Sequence, residues 1–195
     1  RATYEAVQKA MARAPQASAR EQDYIRALAK RYPSPHAASD WKQFHLDYSN
    51  AMRDVAQKYP DDLDATTMFA ESLMMLRPWQ LWTLEGEPAP GTLELVAALE
   101  SVLRSDPNHP GANHFYIHAV EASNDPDRAI RSADLLGGLM PSAGHMVHMP
   151  AHIYLRVGRY ADAAEANVRA IAADEDYLAQ CQAQGLYPVS YYPHN

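Results

Sequence analysis

The stretch that decides the fold runs from Gly144 to Ala163 and reads GHMVHMPAHIYLRVGRYADA. Its first part has helical spacing, and Gly158 then supplies the residue type that most often ends a helix. The small Ala163 follows three residues after Tyr160, where a second helix can approach the first closely. This order predicts two antiparallel helices joined by a short turn that Tyr160 fills.

The same pattern occurs earlier in the chain at a fixed offset. Matching residues stand 34 positions apart: His114 and His148, His118 and His152, Ala129 and Ala163, Pro107 and Pro141. The prolines are expected to end successive helix pairs, because proline cannot continue a helix. A period of 34 residues is that of the tetratricopeptide repeat. We therefore predict an all-α fold, a right-handed α-solenoid of antiparallel helix pairs with about four to five repeats.

Two segments carry a narrower resemblance. The string from Tyr116 to Glu121, followed by that from Gly144 to Tyr154, resembles a poorly characterised bacterial family of histidine-rich tetratricopeptide proteins. The broader likeness to tetratricopeptide proteins covers most of residues 37–186. It implies the fold and carries over no activity.

Helical periodicity and the positions of proline and glycine predict the individual elements. The predicted helices cover residues 3–14, 18–32, 38–58, 62–77, 91–105, 111–123, 126–139, 143–157, 160–174 and 176–185. A kink or an early turn is expected at Pro150. Residues 1–195 are interpreted as one domain, and both ends suggest a piece of a longer chain.

A long loop is predicted at residues 78–90, and it contains Trp79 and Trp82. Loops of this length are uncommon unless they have a function. The two indoles are candidate ligand-binding groups in a lid over the groove of the solenoid. The alternative is a hydrophobic plug that seals an irregular junction between repeats.

Composition excludes several functions. The chain has 195 residues, a net charge of −7 and one cysteine, Cys181. This charge argues against a nucleic-acid partner, and the apolar runs are too short to span a membrane. The cysteine count favours the cytoplasm, although the periplasm stays open if a leader was removed.

The repeat register places histidines along the expected concave groove. His114, His118, His148 and His152 form two pairs spaced four apart, so each pair shares one helix face. Imidazole is the commonest metal ligand near neutral pH, and three or four histidines suit Zn²⁺ or copper. Met146 and Met149 slightly favour copper, unless both are core residues. We predict a metal site at these four histidines.

Further residues complete the candidate site. Glu71, Glu121 and His145 are candidate catalytic bases or partners of the ligands. Arg156 and Tyr116 join the two tryptophans as candidate ligand-binding residues. His194 is a candidate extra ligand if the tail folds back.

The function that these residues suggest is a metal-dependent hydrolase or oxidase acting on a small molecule. Phe115 and Met149 replace the glutamate that a zinc-protease helix motif requires, so a metalloprotease is rejected. Four alternatives stay open: a metal-free site for a polar ligand or for proton transfer, a peptide-binding scaffold without catalysis, a pH-responsive surface, and histidines that serve only packing.

Overall fold

The computed structural model describes residues 1–36, 40–182 and 184–195. These residues form helices and connecting turns, with one isolated β-bridge between Trp82 and Pro88. The all-α prediction is therefore confirmed for the described part of the chain. The handedness of the helix stack and its tetratricopeptide identity stay predictions.

The helices follow the predicted order. Their bounds are α1 Ala2–Arg13, α2 Ala19–Arg31, α3 Lys42–Lys58, α4 Leu63–Met74, α5 Thr92–Ser105, α6 Pro110–Val120, α7 Ile130–Leu139, α8 Gly144–His148, α9 Pro150–Arg156, α10 Tyr160–Cys181 and α11 Tyr192–His194. Short 3₁₀ turns cover Ala14–Gln16 and Pro126–Ala129, and a π-helical turn covers Tyr187–Tyr191.

The largest departure from the predicted map is α10. It continues from Tyr160 to Cys181 without the predicted break near residue 175 and ends at Gln182, which has a left-handed φ of 47°. The sequence from 159 to 184 contains no glycine or proline and is rich in alanine, so propensity favours one helix. Helix α3 begins at Lys42 and not at residue 38; residues 38 and 39 lie outside the described part.

The chain divides into two compact units. The first comprises Arg1–Leu81 and Pro90–Ala98. Within it α1 packs on α2, α2 on α3, and α3 on α4. Asp62 caps α4, because its Oδ1 accepts a hydrogen bond from the Ala65 N–H at 3.0 Å.

The second unit comprises Trp82–Ala89 and Leu99–Asn195. Its helices pack on their neighbours along the chain: α6 on α7, α7 on α9, and α9 on α10. Ile117, Leu136 and Ile153 are fully buried. Burial of such side chains contributes about 1.5–3 kcal/mol each. It holds α6 and α9, which carry His114, His118 and His152.

The turn between α9 and α10, on which the fold prediction was based, is largely as expected. Gly158 has a φ of 81°, and the Arg159 N–H donates to the Tyr154 carbonyl at 2.8 Å, which closes the end of α9. Ala163 is buried at 7% exposure, as predicted. The prediction for Tyr160 is wrong: this side chain is 67% exposed, because it stands at the solvent-facing start of α10.

The interruption predicted at Pro150 is present. Helix α8 ends at His148, and α9 begins at Pro150. Met149 between them keeps a right-handed helical φ of −49°, and its N–H still bonds to the His145 carbonyl at 3.1 Å. The histidines of α8 and α9 therefore stay close in space across the interruption.

Gly144, the first residue of α8, allows a close approach to α10. A Cβ at this position would lie 1.9 Å from Oδ1 of Asp174, which is fully buried. Both Asp174 oxygens are already hydrogen-bonded, so the carboxylate has little room to move.

Gly144→Ala is expected to lower the free energy of unfolding by about 1–3 kcal/mol through this overpacking. Gly138→Ala in α7 is the matched control, because a Cβ there would meet no described atom within 4 Å. This control should gain about 0.5–1 kcal/mol. Urea unfolding of the two variants makes the comparison, and equal stabilities would contradict it.

Candidate metal centre

Six histidines gather in the second unit. They come from three places: His114 and His118 on α6, His145, His148 and His152 on α8 and α9, and His194 in α11. The centroids of neighbouring imidazole rings lie close enough for the rings to be in contact, for example 5.3 Å between His118 and His152. The rings therefore form one continuous cluster, and they divide into two groups that share no residue.

The first triad consists of His114, His118 and His145, whose candidate ligand atoms all lie within 4.8 Å of one another. Among the described residues, Nε2 of His114 and Nδ1 of His145 are buried without a hydrogen-bond partner. An unsatisfied buried polar atom costs about 1–3 kcal/mol. A cation bound by these nitrogens would remove that cost.

The second triad consists of His148, His152 and His194, with ligand atoms again within 4.8 Å. The Nε2 atoms of His148 and His152 lie 2.9 Å apart. The ring of His194 lies against that of His148, with centroids 4.6 Å apart. Three imidazoles are thus directed at one small volume.

Glu121 connects the two triads. Its Oε1 lies 2.9 Å from Nδ1 of His118, and its Oε2 lies 2.5 Å from Nδ1 of His152. A carboxylate only accepts hydrogen bonds, so both Nδ1 atoms carry their protons. Glu121 also belongs to a third possible ligand group with the same two histidines.

The hydrogen bonds determine the tautomers of the second triad. Nδ1 of His148 donates to Oδ1 of Asn167 at 2.8 Å, and Nδ1 of His152 donates to Glu121. A neutral imidazole with a proton on Nδ1 has a lone pair on Nε2. The two Nε2 lone pairs therefore face each other across 2.9 Å, an arrangement that a shared proton or a cation stabilises.

Burial makes three imidazoles of the cluster hard to protonate. It lowers the pKa of His114 to about 3 and the pKa values of His145 and His148 to about 4, and the neighbouring histidines add to the effect. Burial alone would raise the pKa of Glu121, but hydrogen bonds from His118 and His152 lower it to about 2. Neutral imidazoles and an ionised carboxylate are the forms that bind metal.

The tail reaches the cluster through a buried anchor on α10. Oδ1 of Asp174 accepts from the Tyr187 hydroxyl at 2.5 Å, and Oδ2 accepts from the Asn195 side chain at 2.6 Å. His194 stands next to the second contact and so joins the second triad. Sequence reasoning had no local signal for this contact, since Asp174 lies within an ordinary helical pattern.

Other predicted site residues have their described contacts with residues outside the two triads. Glu71 belongs to the first unit and pairs with Arg31 at 3.5 Å; burial raises its pKa despite that partner. The Tyr116 hydroxyl donates to Glu100 at 2.8 Å, beside a cavity of about 460 Å³ that Arg128 also lines. The contacts of Tyr116 therefore stabilise the packing of α5 and α6.

The two tryptophans differ in environment. Trp82 donates its indole N–H to the Ala119 carbonyl at 2.7 Å, which satisfies a carbonyl near the end of α6 and fits the plug interpretation. Trp79, in the first unit, is 85% exposed and has a φ of 62°. The loop that carries both tryptophans runs from the end of α4 to the start of α5, slightly longer than predicted.

Arg156 is exposed, and its guanidinium lies 3.5 Å from the Ser123 carbonyl.

Comparison of the chain with protein-family models, with curated proteins and with solved structures gave no match. Among the described residues, no helix has the length and apolar character needed to cross a bilayer. The site is therefore interpreted from its own geometry.

Acid is expected to destabilise the metal-free protein. Unfolded histidines take up protons below a pKa of about 6.5, whereas the buried ones stay neutral until about pH 4. Each such group lowers the free energy of unfolding by up to about 1.4 kcal/mol per pH unit in that window. Protonation of Glu121 lowers the free energy of unfolding further between pH 4.5, its usual pKa, and about pH 2.

Urea unfolding between pH 7 and 5 measures this slope. His114→Leu should reduce it, and His36→Ala, a change at an exposed histidine of the first unit, should leave it unchanged. A stability that stays constant from pH 7 to 5 would contradict the expectation.

Proposed function

We propose that the histidine cluster of the second unit binds a divalent transition-metal ion. The observation that carries the proposal is the pair of Nε2 atoms of His148 and His152, 2.9 Å apart with both Nδ1 protons already donated. Two nitrogens at about 2.0–2.1 Å from a tetrahedral zinc ion are roughly 3.3 Å apart. A small rotation of either ring reaches that separation.

The donor set favours Zn²⁺ or copper. Imidazole nitrogens and one carboxylate suit these ions, whereas an oxygen-rich set would suit Mg²⁺ or Ca²⁺. Met149 adds nothing to the argument for copper, because it is fully buried in the hydrophobic core. The choice between the two ions therefore depends on the histidines and on metal supply.

A small-molecule ligand is the substrate class that this centre supports best. A metal ion held by imidazoles acts as a Lewis acid toward a carbonyl or phosphoryl oxygen. Glu121 orients His118 and His152 and keeps their Nε2 atoms available to the ion. Its pKa of about 2 makes it a weak proton acceptor, so we assign it this orienting role and not that of a general base.

The fold assigned to this function is the tetratricopeptide-like solenoid. The 34-residue spacing and the packing of successive helices support that assignment. A scaffold for extended peptides receives less support, because nitrogen atoms that converge on one small volume do not present a row of separate contacts. Peptide-binding grooves also commonly use Lys and Arg side chains to bind the carboxylates of the peptide, whereas this cluster offers histidines and a glutamate.

Metal analysis tests the proposal. The full chain is purified without chelators, dialysed against Zn²⁺ or Cu²⁺, passed through gel filtration and analysed for bound metal. At least one equivalent should remain in the wild-type protein and in His36→Ala. Metal far below one equivalent in every preparation, with the protein folded by circular dichroism, would overturn the proposal.

The bridging carboxylate offers a milder test of the same site. Glu121→Gln keeps the shape of the side chain, but its amide can accept from only one of the two histidines. Loss of an outer partner typically costs about 10–100-fold in metal affinity. Competition with a chromogenic chelator should show that weakening for Zn²⁺, while Glu165→Gln on the exposed face of α10 binds normally.

A further inference from the structure

We infer that the cluster holds two metal ions, one in each histidine triad, with Glu121 between them. This inference rests on the proposed function and extends it. The first ion would be bound by His114, His118 and His145, and the second by His148, His152 and His194. The two sets have no residue in common, so both can be occupied in the same molecule.

Each triad independently has the features of a ligand site. In the first, the buried nitrogens His114 Nε2 and His145 Nδ1 have no partner among the described residues. In the second, His148 and His152 direct their Nε2 lone pairs at each other. One ion bound in the second triad would leave the two nitrogens of the first triad unsatisfied, so a single ion does not explain both observations.

The position of Glu121 also fits a pair of ions. Its two oxygens bond to one histidine of each triad, and the rings of those histidines are 5.3 Å apart at their centroids. Paired metal sites in proteins are about 3.5–4 Å apart. Because the Glu121 oxygens already accept hydrogen bonds from two Nδ1–H groups, Glu121 would link the two ions through His118 and His152 and not as a direct bridging ligand. A side-chain oxygen accepts a hydrogen bond from Nδ1 in each of His118, His148 and His152. Histidines that bind a metal usually have such a partner, which fixes the orientation of the ring.

The second triad is completed by the C-terminal segment. Tyr187 and Asn195 both bond to Asp174, and His194 lies between these two attachments. Three protein ligands on each ion leave a coordination position for a small substrate. A pair of adjacent ions suits a substrate with two neighbouring oxygens, such as a phosphate ester or a carboxylate.

The number of zinc ions per chain tests the inference. The full chain is stripped of metal, loaded with Zn²⁺ alone and examined by elemental analysis and native mass spectrometry. We expect two ions in the wild-type protein and in the control His36→Ala. We expect one ion in His114→Ala, which affects the first triad, and one in His194→Ala, which affects the second.

The outcomes distinguish this inference from the proposed function. One ion in the wild-type protein would overturn the pair and keep the metal site. No ion in the folded wild-type protein would overturn both. Two ions that persist in both His114→Ala and His194→Ala would overturn the assignment of ligands. Tyr187 and Asn195 hold the segment around His194 through Asp174, so the His194 variant tests the second triad with little risk to folding.

Discussion

His152→Ala is expected to weaken zinc binding more than 100-fold. Loss of a residue that only hydrogen-bonds to a metal ligand costs about 10–100-fold in affinity, so loss of a ligand itself should cost more. His152 offers a candidate ligand nitrogen in the second triad and also bonds to Glu121, so its removal should affect both parts of the cluster. Alanine is favourable in the middle of α9, and we expect the helical circular dichroism to be unchanged.

Isothermal titration with Zn²⁺ into the metal-free protein measures this effect. His109→Ala is the matched control at the start of α6, because His109 caps that helix through its Nδ1 and belongs to neither triad. That variant should lose about 0.5–2 kcal/mol of stability and bind zinc normally. Similar zinc affinities for His152→Ala and wild type would exclude His152 as a ligand.

Removal of metal is expected to have the second large effect, on stability. An ion that binds only the folded state adds about 2.7 kcal/mol at 100 times its dissociation constant and about 4.1 kcal/mol at 1,000 times. The expected gain has a physical source, because a bound metal would satisfy buried nitrogens that lack partners among the described residues. Chelator should therefore lower the unfolding midpoint, and Zn²⁺ should restore it.

The double variant His114→Ala/His148→Ala provides the comparison, since it removes one ligand from each triad. Its unfolding midpoint should respond little to chelator or to Zn²⁺. An equal response in the wild-type protein and the double variant would place the stabilising ion outside the cluster.

Apart from the predicted break in α10, the sequence predicted the main helices of the second unit well, because its signals there are local. Gly158 ends α9 with a positive φ, and Ala163 is buried in the following helix. The break before Pro150 follows from the same kind of reasoning. Each of these features depends on one residue type whose backbone preference or size leaves little choice.

The histidines of the site were partly predictable for a similar reason. A spacing of four residues places His114 with His118 and His148 with His152, and the 34-residue offset brings the two pairs together. The sequence named His194 only as a candidate that required the tail to fold back, and it gave no sign of the Asn167 contact. Their positions depend on Asp174 and on the continuous helix α10, which are contacts between residues far apart in the sequence.

The role of Glu121 also became clear only in three dimensions. The sequence suggested a base or a partner of the ligands, and both remained open. Its two oxygens bond to histidines on different helices, which holds its pKa near 2 and favours the second role. Glu71 and Tyr116, by contrast, have their described contacts with Arg31 and Glu100, so their predicted roles at the site lack support from geometry.

The central claim is that imidazoles of this cluster bind a metal ion directly. An anomalous-difference map from a zinc-soaked crystal, with data collected on both sides of the zinc absorption edge, tests it most directly. We expect a peak about 2.0–2.1 Å from Nε2 of His148 and Nε2 of His152. A map whose only peaks lie at exposed side chains, with none between residues 114 and 152, would contradict the claim.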